Sequence, residues 1–306
     1  MEGSMRIRGV FVFALVLGMA LTSIVNAEEA KLGSAQIEAM TGAKGAWNKD
    51  QTVFKVGFPR KEVKVTVDGN PLPPFMGLGT WAAFTTTKDG MVMVMGDNVL
   101  FQDEVNPVMS AALDNGLQVT ALHNHFFFDE PKVYFMHISG MGKAETLAKA
   151  VGKVFAKVHE IRASKPEPAS NFGYKALPEK SSITAEPLEK ILGVKVTAQD
   201  GMSKAVFGRK VKMGDDEMGS DMGVNTWAAF LGSDDNAIVD GDIAMQEDEL
   251  QGVLKSLRKN EINIVAIHQH MTGESPRIIF LHYWGHGSAE QLANAVKAVL
   301  KKIPNP

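Results

Sequence analysis

Six of the eight histidines fall into two triplets with the same internal spacing, and this duplication constrains the fold more than any other feature. His123, His125 and His137 form the first triplet; His268, His270 and His282 form the second, each member recurring 145 positions later. Asp97 and Asp242, Glu104 and Glu249, and Pro131 and Pro276 keep that offset. The pentapeptide Thr80-Trp81-Ala82-Ala83-Phe84 returns as Thr226-Trp227-Ala228-Ala229-Phe230 at an offset of 146, the turn region after it being one residue shorter in the second copy. A segment of domain size written twice predicts tandem copies of one fold.

Within a copy the hydrophobic pattern reads as strands, a helix, a hairpin and a helix. Thr52 to Val56 and Val63 to Val67 alternate as strands, and Met91 to Met95 reads as another ending at Gly96-Asp97. Pro107 in a first turn and Gly116 past the end frame one helix. Leu147, Ala148, Val151, Val154, Phe155 and Val158 make an apolar stripe at helical spacing, echoed by Leu292, Ala293, Val296, Val299 and Leu300. The expected fold class is α+β: two tandem homologous domains, each a largely antiparallel sheet covered on one face by two helices. The expected divisions are a leader over residues 1–27, repeats over 28–161 and 183–306, and a linker over 162–182 carrying Pro166, Pro168 and Pro178.

The histidines sit where β-strand geometry makes them converge. Side chains two apart in a strand share a face, so His123 and His125 point the same way. A turn centred on Glu130 sets His123 directly opposite His137, and a turn centred on Ser275 does the same for the second copy. Three imidazoles on one face form the ligand set of a divalent metal such as zinc or copper, with a fourth position open. The HxH strand with a third histidine on its neighbour is similar to the carbonic anhydrase ligand arrangement, in its ligands alone. The competing reading is a set of structural histidines hydrogen-bonded to backbone or carboxylate.

Glu104 and Glu249 are candidates to complete the shell or to act as general base on a metal-bound water, against the alternative of a favourable charge at a helix N-terminus. Asp97 and Asp242, each after a glycine at a strand end, are expected to serve a turn or a helix entry rather than to ligate. Met91, Met93 and Met95 share a strand face and thioethers bind copper(I), but the second copy has no methionine there, which assigns them to core packing. Phe126-Phe127-Phe128 either wall a pocket or cap the hairpin.

Composition narrows the classes. A net charge of −3 without a basic stripe argues against nucleic acid as partner. The absence of cysteine removes disulfides, thiolate metal sites and lipid attachment. Arg6 and Arg8, an apolar run from Val10 to Val25, and Val25-Asn26-Ala27 match a secretory leader cleaved after Ala27, which predicts a periplasmic or secreted protein with no stable membrane anchor. No serine-hydrolase elbow, phosphate loop or dinucleotide fingerprint occurs, and His123-Asn124-His125 lacks the wide spacing of the HNH nuclease signature.

Gly57-Phe58-Pro59-Arg60, Val65-Thr66-Val67-Asp68-Gly69, Trp81-Ala82-Ala83-Phe84, Gly96-Asp97, Glu104-Val105-Asn106-Pro107-Val108 and Leu122-His123-Asn124-His125 together resemble the LppY/LpqO family, named after bacterial lipoproteins and classed as having unknown function. The resemblance covers nearly all of the chain after the leader and implies an exported, duplicated domain. The chain lacks the lipoprotein cysteine, so tethering is not implied. The functional expectation is a protein binding a metal or small molecule at a duplicated histidine site, extending to a metal-dependent enzyme; the alternative is a non-catalytic ligand-binding or structural repeat protein.

Overall fold

A computed structural model describes residues 33–48, 50 and 52–303; the expected leader, residues 1–27, lies outside them. The first repeat contains α1 (Ser34–Thr41), β1 (Gly45–Asn48), β2 (Val53–Pro59), β3 (Thr66–Val67), β4 (Asn70–Pro71), β5 (Gly79–Thr86), β6 (Val92–Phe101), α2 (Gln102–Asp114), β7 (Gln118–His123), β8 (Asp129–Glu130), β9 (Val133–Gly142) and α3 (Ala144–Ser164). The second contains α4 (Ala185–Leu192), β10 (Val196–Gln199), β11 (Met202–Gly208), β12 (Val211–Met213), β13 (Asp216–Met218), β14 (Asn225–Ser233), β15 (Asn236–Gln246), α5 (Leu250–Lys259), β16 (Asn263–His268), β17 (Glu274–Ser275), β18 (Ile278–Gly287) and α6 (Ala289–Leu300). Among the described residues each repeat thus carries three α-helices, a short one ahead of the sheet besides the two expected to cover it.

The two antiparallel sheets join edge to edge into twelve strands, ordered β1-β2-β5-β6-β9-β7-β16-β18-β15-β14-β11-β10. The joint is β7 against β16, antiparallel, with Leu122 opposite Ile267. These residues are equivalents at the repeat offset, so a pseudo-twofold axis passes between them. Asn106 on α2 bonds the backbone N–H and C=O of Ile264, at 2.8 and 3.3 Å. Its equivalent Gln251 on α5 does the same for Val119, at 3.1 and 2.8 Å. Each clamp sits where the ladder slips beside Thr120 or Val265 and leaves backbone groups short of partners.

Strand parity divides the sheet faces. Phe54, Val56, Ala82, Phe84, Val94, Leu122 and Ile138 turn to the helices and are buried with the apolar stripe of α3, as the sequence pattern predicts. α1 crosses α3 so closely that a Cβ on Gly152 would meet the Met40 carbonyl oxygen at 2.1 Å. Among the described residues no helix is long and apolar enough to cross a membrane.

The other face is partly covered. A small sheet, β4-β3-β8, lies over one end of the first repeat and encloses Val65, Leu78, Val99, Phe101, Val133 and Phe135; β13-β12-β17 does the same in the second repeat over Val211, Val224, Ala244, Ile278 and Phe280. Met91, Met93 and Met95 stand on this second face. Met91 and Met95 are 41% and 56% exposed, so the expected core packing is incorrect: parity puts the valines between them in the core instead.

The repeated pentapeptide has a structural reading. Thr80 and Thr226 accept hydrogen bonds from the backbone N–H of Val99 and Ala244, each at 3.0 Å. Ala82, Phe84, Ala228 and Phe230 are core residues. Trp81 and Trp227 lie on the open face under Lys55 and Lys204, whose ammonium groups sit 4.0 and 4.3 Å from the ring centroids.

Candidate metal centres

The histidine triplets come together on the open face beside the small sheets, by a route different from the expected hairpin. His123 pairs with Phe135 and Ala121 with His137, so His123 and His137 are diagonal neighbours rather than directly opposed. The register differs because the segment after β7 does not turn back tightly. Asp129 and Glu130 instead pair with Thr66 and Val67 as strand β8. The second repeat repeats this: His268 faces Phe280, Ala266 faces His282, and Glu274 and Ser275 pair with β12. The Glu130–Pro131 and Ser275–Pro276 bonds are both cis.

His125 and His270 lie just past the ends of β7 and β16, where strand parity no longer applies. Each is held by stacking: His125 on buried Phe135 at a centroid distance of 3.7 Å, His270 on buried Phe280 at 3.5 Å. That contact returns the third ring to its partners. Ring centroids of His123 lie 5.3 Å from His125 and 5.1 Å from His137; those of His268 lie 5.1 Å from His270 and 4.5 Å from His282.

A carboxylate completes each cluster. Asp97 pairs directly with His137, and Asp242 with His282. The expectation of a turn at Gly-Asp is corrected here, because β6 and β15 run on to Phe101 and Gln246. Both glycines answer a close approach of strands: a Cβ on Gly96 would meet the Trp81 carbonyl oxygen at 2.8 Å, and one on Gly241 the Trp227 carbonyl oxygen at 2.4 Å. The recurrence of Asp at the histidines' own offset was the available signal for a ligand.

In the second repeat Nε2 of His270 lies 3.1 Å from Nε2 of His268 and 3.3 Å from Oδ2 of Asp242, with Nδ1 of His282 3.9 Å from Oδ1. Asp242, His268 and His270 each offer a ligand atom, all within 4.8 Å of one another, a set that could hold a metal ion. In the first repeat the close approach is Nε2 of His123 to Nε2 of His137, 3.0 Å. Zn–N bonds of about 2.0–2.1 Å bring neighbouring tetrahedral ligand atoms to roughly 3–4 Å, the spacing seen among Asp242, His268 and His270 and, in the first repeat, between His123 and His137. The second cluster is the more tightly drawn.

The electrostatics are those of a site short of positive charge. Asp242 is 4% exposed, and its Oδ1 accepts no hydrogen bond; Oδ1 of Asp97 is likewise buried without a donor. Burial raises the Asp97 carboxyl above its usual range, with His137, His123 and His125 opposing the shift. Burial also lowers His125, helped by the charge of His123, and lowers His268 against the pull of Asp242. Those two imidazoles are therefore held toward the neutral, metal-ligating form.

Glu104 and Glu249 stand in a different environment. Fully buried Glu104 takes two hydrogen bonds from the Arg60 guanidinium at 2.8 and 2.9 Å, pairs with Nε of Arg162 at 2.7 Å, and accepts the Phe101 backbone N–H at 2.8 Å. Glu249 is held by Arg209 at 2.7 and 3.0 Å and accepts the Gln246 N–H at 2.6 Å. Both carboxylates are engaged in cross-linking β2 or β11 to the start of the following helix. α2 begins at Gln102, which puts Pro107 inside the helix rather than in its first turn.

A cavity of about 820 Å³ opens beside the first centre, reaching His125 and Asp97. Pro74, Phe75, Trp81 and Phe135 give it apolar walls, and Lys55 and Lys61 supply charge. Phe126 packs against the small core, whereas Phe127 and Phe128 are 84% and 79% exposed. In the second repeat the corresponding positions read Ser220, Asp221 and Val206 for Pro74, Phe75 and Gly57, and Lys210 is paired with Glu217 at 2.7 Å.

No curated protein and no solved structure matches the chain. A family model described as a Domain of Unknown Function (DUF1259) matches residues 35–157 and, separately, residues 186–302. Two matches that together span most of the chain, one to each pseudo-symmetric half, establish that the protein belongs to the DUF1259 family and carries its domain twice.

Proposed function

We propose that this is an exported protein of the LppY/LpqO type that binds divalent metal, zinc or copper, at two pseudo-symmetric Asp/His centres: Asp97 with His123, His125 and His137, and Asp242 with His268, His270 and His282. The observation that carries the reading is Asp242, a buried carboxylate facing three histidines with one oxygen unpartnered. A buried polar group left unpaired costs about 1–3 kcal/mol, more when charged, and a bound cation removes that cost. Imidazole and carboxylate without thiolate suit zinc or copper(II). Metal analysis of protein from its native host, followed by titration of the stripped protein, tests the reading. Uptake should weaken as pH falls below about 6.5, the ordinary imidazole value, with His125 and His268, which burial lowers, the last to take up protons.

The cavity favours a second function at the first centre, namely binding or turnover of a small organic ligand with an apolar body and an acidic head. Its aromatic walls would take the body, and the metal with Lys55 would take the head. His123, His125, His137 and Asp97 would hold the metal, which would supply Lewis-acid chemistry at the mouth of the cavity. The leader at residues 1–27 supports export, and N-terminal mass analysis showing Glu28 first would establish it.

A further inference from the structure

The methionines of the open face, half-buried Met93 and exposed Met91, Met95 and Met141, form an ordered row that the Asp/His centres do not use. β6 and β9 pair antiparallel, and on the open face the successive partners are Asp97 with His137, Met95 with Ser139, and Met93 with Met141. Met91 precedes β6 on the same face. Met141 is 58% exposed, beside Met95 at 56% and Met91 at 41%. Directly opposed residues have β-carbons about 4.5–5.5 Å apart, and diagonal ones about 7–8 Å. With three rotatable bonds in each side chain, the sulfurs of Met93, Met95 and Met141 can meet at one point.

The fold does not require methionine at these positions. Their equivalents in the second repeat are Asn236, Ile238, Asp240 and His286, so the same surface is built there largely from polar residues. Methionine normally fills cores, and leaving it in water forgoes about 25 cal/mol for each Å² of apolar surface not buried. In a chain without cysteine the thioether is the one soft ligand available, and soft sulfur ligands select copper(I) over harder ions.

We propose that Met93, Met95 and Met141, with Met91 at the margin, form a binding site for copper(I) on the open face of the first repeat. Met95 stands two residues from Asp97, about 7 Å along the strand at 3.4 Å per residue, so the soft site adjoins the Asp/His centre. The two are chemically separate, and the methionine site stands whether or not the histidines bind a divalent ion.

Silver(I), a redox-inert stand-in for copper(I), tests the site in full-length protein carrying ¹³C-methyl methionine, in chloride-free buffer. One equivalent should shift the Met93, Met95 and Met141 methyl resonances and leave those of exposed Met76 and Met222 in place. Under anaerobic reducing conditions, copper(I) affinity measured against a chromophoric chelator should fall at least tenfold in the Met93→Leu/Met141→Leu variant. Leucine keeps the apolar volume, so folding is retained. Zinc uptake should be unchanged in that variant, which separates this site from the histidine centres. Methyl groups unmoved by silver(I), shifts of equal size at Met76 and Met222, or unchanged copper(I) affinity in the double variant would overturn the proposal.

Discussion

A carboxylate withdrawn from water is costly unless donors or a cation meet its oxygens. Asp242 has the histidine rings around it and no donor for Oδ1, so it should weaken the metal-free protein. Asp242→Asn keeps the shape and removes the charge. We expect it to raise the stability of the stripped protein by about 1 kcal/mol, the low end of the cost of an unpaired buried group, and to weaken metal binding at least tenfold. Denaturant melts with and without metal read both effects. Glu104 has the opposite character, since its oxygens are fully engaged by Arg60, Arg162 and the Phe101 N–H. Glu104→Ala leaves buried Arg60 and Arg162 with Glu62 and Asp103 as their remaining acidic partners and should cost about 3 kcal/mol, the low end for breaking a buried pair. Metal stoichiometry per folded molecule should not change, and its loss would give Glu104 a place in the site.

At the scale of elements, the histidine clusters depend on strand register more than on sequence spacing. The spacing of His123, His125 and His137 made the triplet legible, although the parity that paired His125 with His123 lapses past the end of β7, where stacking on Phe135 holds the ring instead. The true register was not legible because two features alter it: the ladder slips beside Thr120, and Asp129-Glu130 leaves the turn to pair with β3. Asp97 was misread for a related reason. Glycine before it suggested a turn, while the need was space for the Trp81 carbonyl. Methionine parity was legible as well, but parity alone does not say which face the helices cover. The slipped ladder explains why Asn106 and Gln251 reach across to the other repeat. Gln251→Ala strips two backbone groups of Val119 of their partner, and we expect a loss of about 1–3 kcal/mol by denaturant melting.

The whole molecule is a pseudo-dimer in one chain. The recurrence at 145 residues, the apolar helix stripes and the proline-rich connection made two α+β units legible in the sequence. Their fusion into one sheet was not, because β7 and β16 look like ordinary interior strands whether or not they meet. Since the joint pairs equivalent residues, Leu122 with Ile267, the first repeat alone should satisfy its exposed β7 edge with a second copy of itself. We expect the isolated repeat, residues 33–165, to sediment as a dimer and the full chain as a monomer of that same shape. A stable monomeric fragment would contradict the joint.

The central claim is that the two triplets are metal centres. Calorimetric titration of the metal-stripped protein with zinc or copper(II) measures it most directly, run beside His123→Ala and His268→Ala variants. The account predicts two equivalents for the full chain, one lost in each variant, with the Asp242, His268 and His270 centre binding the tighter equivalent. No uptake by the stripped protein, or uptake unchanged in both variants, would contradict it.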